Sequence, residues 1–220
     1  MIGVLIPARN EEATLEACLK SVRASATHAR GKGLDVHVVV TLDQCTDDSD
    51  PIARQWADTV LQTDVGNVGL ARKMAADRLI ALGVDWIAST DADSVVPKDW
   101  LWAQHACDAD VFCGIVKVEN WEDYDSAVVA AFHATIPTDG HPHIHGANLG
   151  LSARAYRLSG GFQPAQAHED VELIRRCEAA GLQIARLIEP AVTTSARRDA
   201  RARGGFGDFL LELERTTRAL

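Results

Sequence analysis

Two aspartates stand one residue apart at Asp91-Ala92-Asp93. Like charges that close repel unless a cation lies between them. Mg²⁺ and Mn²⁺ suit such a pair, because they take one or two carboxylates and complete their shell with water and phosphate oxygens. An acidic turn ahead of Pro97 is the structural alternative. A second acidic pair, Glu169-Asp170, heads a segment in which Val171, Ile174 and Cys177 recur at helical spacing. Asp170 is there either a helix cap or a carboxylate held where it can take a proton. His141, His143 and His145 alternate around Pro142 in an extended loop, without the cysteines or carboxylates that a structural zinc site brings.

The elements that must position these groups alternate between short apolar runs and longer segments of helical period, the pattern of an α/β domain with a largely parallel sheet. Ile2 to Ile6, Val36 to Leu42, Thr59 to Gln62 and Val84 to Ser89 read as strands. Helices follow with Leu15, Cys18, Leu19 and Val22 on one face, then over Ile52 to Ala57, and then over Leu70 to Leu82 before Gly83. Further on, Trp100 to Cys107 and Ala127 to His133 read as helices, Val111 to Val118 and Gly146 to Ser152 as strands, and Val171 to Ala180 as a helix. The fourth strand delivers Asp91 and Asp93 at its C-terminal end, where open α/β sheets bind ligands. Pro7 to Glu12 and Asp43 to Asp47 leave strands one and two at that same edge.

These residues carry a resemblance. Pro7-x-x-Asn10-Glu11, Asp43 with Thr46-Asp47, Asn67-Val68-Gly69-Leu70-Ala71-Arg72, Asp91-Ala92-Asp93, Gly146-Ala147-Asn148-Leu149-Gly150, Gly160-Gly161-Phe162 and His168-Glu169-Asp170 occur in that order. The chain resembles the inverting family 2 glycosyltransferases over nearly its whole length. The resemblance implies a GT-A fold, Rossmann-like, with a mixed, mostly parallel sheet flanked by helices. It implies one domain over residues 1–220, with a nucleotide-binding half at 1–95 and an acceptor-side half with the C-terminal helix at 96–220. It further implies a UDP- or GDP-linked sugar donor and a hydroxyl acceptor. By the same likeness, Pro7, Asn10, Glu11 and Asp43 would contact base and ribose, and Gly69 and Arg72 would lie along the donor. Asp91 and Ala92 would face ribose or sugar. Asp93 would hold Mn²⁺ or Mg²⁺ with Asp91, and His168 would supply a late ligand. Asp170 would be the general base, with Glu169 beside it. Gly146, Ala147 and Asn148 would border the acceptor, with His145 just ahead of them. Apart from the likeness, Trp121 is an acceptor-side candidate because an indole can pack on the apolar face of a sugar. Leu42 stands where the family often carries an acidic residue, and Lys73 where it often carries asparagine.

Composition narrows the rivals. A net charge of −9 leaves no diffuse positive field for a phosphate backbone, so nucleic acid is not the expected partner. The apolar runs fall short of the roughly 20 residues a membrane helix needs, and five cysteines without a CxxC pair read as reduced thiols. Met1 leads straight into the first strand rather than into a secretory signal. The expected setting is cytoplasmic, with peripheral attachment at the inner membrane open because Phe206, Phe209, Leu210 and Leu213 give the last helix an apolar face. A nucleotidyltransferase of related fold is the first alternative, although Pro7 to Glu12 lacks its glycine-rich loop. A non-catalytic nucleotide-sugar-binding subunit is the second. Strand one is not followed by GxGxxG, which excludes a dinucleotide dehydrogenase. Arg197, Arg198, Arg201 and Arg203 crowd into one basic stretch that could neutralise a leaving diphosphate.

Overall fold

The computed structural model describes residues 1–165, 167–199 and 204–218. Seven strands form one sheet in the order β3-β2-β1-β4-β6-β5-β7. They are β1 (Ile2–Ala8), β2 (Val36–Asp43), β3 (Thr59–Thr63), β4 (Trp86–Ser89), β5 (Val111–Lys117), β6 (Leu149–Ser152) and β7 (Ile184–Thr193). The first four run parallel, and β5 runs parallel to β7. Strand β6 lies antiparallel to both β4 and β5. A sheet of this kind reverses strand order between β1 and β4, and the loops leaving those two strands open a crevice there.

Alternation along β1 divides the core. Ile2, Val4 and Ile6 pack under α1 (Leu15–Arg30), α2 (Ser49–Trp56) and α4 (Trp100–Ala106), whereas Leu5 faces Ala75 and Leu79 of α3 (Val68–Ala81). The second face is closed by α6 (Ala153–Leu158) and α7 (Glu169–Ala179), through Ala155, Leu173, Ile174 and Cys177. A third, smaller cluster joins α5 (Ser126–His133) to α8 (Phe206–Arg218) around Val128, Phe132 and Leu210.

Several expectations need correcting. The Gly146 to Ser152 strand is split: Gly146–Asn148 forms a 3₁₀ turn, and only Leu149–Ser152 pairs in the sheet. The fourth strand starts at Trp86, two residues after the expected Val84. Strand β7 and helix α6 were not foreseen. Strand β7 sits at the sheet edge with Pro190 inside it and only its last third buried, so it lacks the apolar run of a central strand.

Candidate active site

A cleft of about 640 Å³ opens where β1, β2 and β4 end. Its floor carries Pro7 near the end of β1, where it pairs with Thr41 rather than starting the loop. It also carries Arg9 and Glu11 after β1, Asp43 at the tip of β2, and Asp91, Ala92 and Asp93 after β4. The far wall brings His145, Gly146, Ala147, His168, Glu169 and Asp170. Five segments that are distant in sequence therefore meet on one cavity.

The floor is stapled together before any ligand enters. Asn10, at a φ of 53°, accepts a hydrogen bond from the Thr46 N–H at 2.7 Å, and Glu11 N–H donates to Ser49 Oγ at 2.9 Å. Asp43 accepts from the Gly66 and Asn67 N–H groups at 2.9 and 2.8 Å, which fixes the entry to α3. Asn67 caps that helix by accepting from Leu70 N–H, and it also accepts from Ala165 N–H.

Arg72 is the centre of the buried network. Its side chain is 4% exposed. Nε donates to Glu169 Oε1 at 2.8 Å, Nη1 to Ser89 Oγ at 2.6 Å and Nη2 to Asp91 Oδ1 at 2.5 Å. One guanidinium thus ties α3 to β4, to the first aspartate of the pair and to the head of α7. Burial works against its charge, but Asp91, Glu169 and Asp170 outweigh that and raise its pKa. Gly146 is required beside it, since a Cβ there would lie 2.5 Å from Arg72 Nη2.

Arg197, just beyond β7, holds the other aspartate. Its two terminal nitrogens each reach a Glu11 carboxylate oxygen at 2.8 Å, and Nη2 lies 2.9 Å from Asp93 Oδ2. Burial and the neighbouring Asp91 charge push the Asp93 carboxyl up to about 6, with Arg197 opposing them. Asp170, in the first turn of α7, accepts from Gly146 N–H at 2.6 Å and from its neighbour Val171 N–H at 2.8 Å. Burial, then the charge of Glu169, raises its pKa against Arg72 and those two donors. A carboxylate so held is poised to accept a proton.

Not every expected residue reaches the cavity. Asn148 is fully buried, where it accepts from Trp100 Nε1 and donates to the Ile115 and Pro190 carbonyls. Gly69 lies under the Gln163–Ala165 backbone, and a Cβ there would come within 2.2 Å of the Gln163 carbonyl oxygen. Trp121 packs edge-on against Tyr124 and Phe132 in the third core cluster. Asn10 ties the first loop to the second, outside the cavity lining. His168 lines the cleft in a left-handed conformation beside Gly204. Among the described residues no three histidine, cysteine or acidic side chains gather as a metal-binding group. Arg198 turns away to Glu214 and Tyr124, and Arg201 and Arg203 lie outside the described residues.

The sequence reading missed much of the cleft's apolar side, formed by Ile115, Val116, Phe132, Ile136 and Ile144. Phe206 and Phe209 join it. The apolar face of the last helix was the signal for these two.

The model of the glycosyl transferase family 2 domain matches residues 3–147, from the start of β1 into the 3₁₀ turn at the far wall. The chain belongs to glycosyl transferase family 2. Its sheet and flanking helices are those of the GT-A fold. Three solved structures share the fold. One is S. aureus TarS residues 1–349 in complex with UDP-GlcNAc, with a TM-score of 0.66 and 16% identity. The second is the mannosyltransferase PcManGT from Pyrobaculum calidifontis in complex with GDP-Man and Mn²⁺, at 0.65 and 19%. The third is the M. tuberculosis glucosyl-3-phosphoglycerate synthase, at 0.55 and 20%. The chain is covered over 99%, 99% and 100% of its length, and it spans 65%, 60% and 78% of theirs. No curated protein sequence matches it. Among the described residues no helix is long and apolar enough to cross a membrane.

Proposed function

We propose that the chain transfers a sugar from a nucleoside-diphosphate donor, UDP- or GDP-linked, to an acceptor hydroxyl with inversion at the anomeric carbon. Asp170 is the general base. The observation that carries this reading is the charge of the cleft. Among the described residues, Glu11, Asp43, Asp91, Asp93, Glu169 and Asp170 line it beside Arg9, Arg72 and Arg197. A diphosphate would be repelled from such a floor unless a cation entered with it.

The residues present fit Mn²⁺ or Mg²⁺. Asp93, with Asp91 beside it, would hold the ion, whose remaining ligands would come from water and the donor phosphates, as these hard cations prefer. When bound, the metal neutralises charge on the leaving diphosphate. Solved relatives of the same fold carry UDP-GlcNAc, or GDP-Man with Mn²⁺, which supports a nucleotide-sugar donor here. His168, which lines the same cleft, would supply a further ligand.

In the reaction the acceptor oxygen attacks the anomeric carbon. A new C–O bond forms, the bond to the diphosphate breaks, and the acceptor proton passes to an Asp170 carboxylate oxygen. Arg72 keeps Glu169 paired and leaves Asp170 as the carboxylate with a raised proton affinity. The Gly146 N–H fixes the Asp170 side chain in place. Asp170→Asn should lower transfer by at least about 10²-fold, the lower end of what a positioned base contributes, while UDP or GDP affinity with Mn²⁺ stays the same. Turnover equal to the parent would remove Asp170 from the mechanism.

A further inference from the structure

The two sides of the cleft differ in kind. The floor is charged, but the wall beyond Asp170 is built from Val116, Phe132, Ile136, Ile144, Phe206 and Phe209. Phe206 lies 6.0 Å from the Phe132 ring, 6.2 Å from His145 and 6.0 Å from Phe209, so the aromatic surface is continuous. The described polar side chains on this side are few and flank the aromatic surface. Thr135 Oγ1 donates to the Phe132 carbonyl, and the His143 and His145 rings lie parallel with centroids 5.9 Å apart. The surface continues to the mouth, where Ile136 is 49% and Phe209 44% exposed.

A free sugar or a polar peptide needs several directional partners when it leaves water, and the described residues of this wall supply few. An alkyl chain needs only apolar area, and the wall runs from the base out to solvent as a chain would. Resting on the transfer reading above, we propose that the acceptor is an alcohol with an extended alkyl or prenyl body. Its hydroxyl end lies at Asp170 and its chain along Phe206, Phe209 and Ile136. The chain leaves the cleft between the last two residues.

The test is calorimetry with the full-length protein, loaded with UDP or GDP and Mn²⁺, against 1,2-hexanediol, 1,2-octanediol, 1,2-decanediol and glycerol. Affinity should rise about threefold to fourfold per methylene, as full burial of each would give, and glycerol should give no measurable heat. The paired substitution Ile136→Ser and Phe209→Ser changes two exposed positions and should flatten that series by at least half with nucleotide affinity unchanged. A flat series in the parent, glycerol binding as tightly as the octanediol, or a slope that survives the paired substitution would each overturn the proposal. Asp170→Asn separates the two readings. It should lower transfer by at least about 10²-fold and leave the chain-length series intact. Parent-like turnover in this variant with the series intact sinks the transfer reading alone, and a flat series in a parent that still transfers sinks this proposal alone.

Discussion

Arg72 and Arg197 bear the same group, and each grips one aspartate of the Asp91-Ala92-Asp93 turn, yet they hold it under different conditions. Arg72 stands on α3 with a 4% exposed side chain and reaches Ser89, Asp91 and Glu169 on separate elements. Arg197 follows the edge strand, is 27% exposed, and has both its carboxylate partners, Glu11 and Asp93, on loops of the floor. A buried charge bonded through all three of its nitrogens is held from three elements at once, so Arg72 acts as a fixed strut. A charge near solvent can exchange one anion for another, so Arg197 can release Asp93 when a stronger cation or a phosphate arrives. The two aspartates of one motif are therefore held unequally: Asp91 by a buried guanidinium and Asp93 by a partly exposed one.

Removing the strut should have the largest effect. Arg72→Met leaves Glu169 buried and unpaired, and breaking a buried pair from one side costs roughly 3–5 kcal/mol. Domains of this kind are stable by only about 5–15 kcal/mol. The denaturant midpoint should fall accordingly, with donor binding lost. A loss below about 1 kcal/mol would show that the network is not the strut we describe. Arg197→Gln should be milder, at roughly 1.5–3 kcal/mol for charge-assisted hydrogen bonds, and it should have an opposite effect on metal. With the guanidinium gone, Asp93 and Glu11 lose a competing cation. Mn²⁺ binding to the donor-free protein, followed by electron paramagnetic resonance, should tighten on the order of tenfold, equivalent to 1.4 kcal/mol of relieved repulsion. Weaker Mn²⁺ binding would erase the contrast between the two arginines.

The same contrast marks what a sequence can reveal. The acidic turn and its place at a strand tip were legible, because β-branched runs and helical spacing are local signals and the edge they share follows from topology. The partners of each polar residue were not. Asn148 and Gly69 sit in motifs that suggest ligand contact, yet one satisfies buried carbonyls and an indole and the other makes room for a crossing loop. Residue type alone cannot say whether a hydrogen bond ends on protein or on substrate. Arg197 meets Glu11 across 186 positions, a pairing set only by the way β7 returns along the sheet edge. The insertion of antiparallel β6 between β4 and β5 is equally non-local, since four residues carry no mark of the neighbour they will choose.

The smallest expected effect comes from acid and tests which arginine centre yields first. His145 stands one residue before Gly146, whose carbonyl accepts from Ser89 and whose N–H fixes Asp170. Burial, then the nearby His143 and His141, depress its pKa to about 4, with Asp91 opposing them. The unfolded chain binds a proton at this position near pH 6.5, the folded one only near 4. Stability should therefore be intact above pH 6.5, fall as pH drops through that window, and lose nothing further from this residue below it. Because solvent reaches part of the ring, the loss should be on the order of 1–2 kcal/mol. His145→Gln, which cannot charge, should remove this portion of the acid slope in melts taken from pH 7 to 4. Protonation lies beside the Arg72 centre. Hydrogen exchange at pH 5 should accordingly quicken at Gly146 and Val171 in the parent before it does at Thr46 and Ser49 on the Glu11 side. Simultaneous loss of protection on both sides would mean that the two arginines share one cooperative unit.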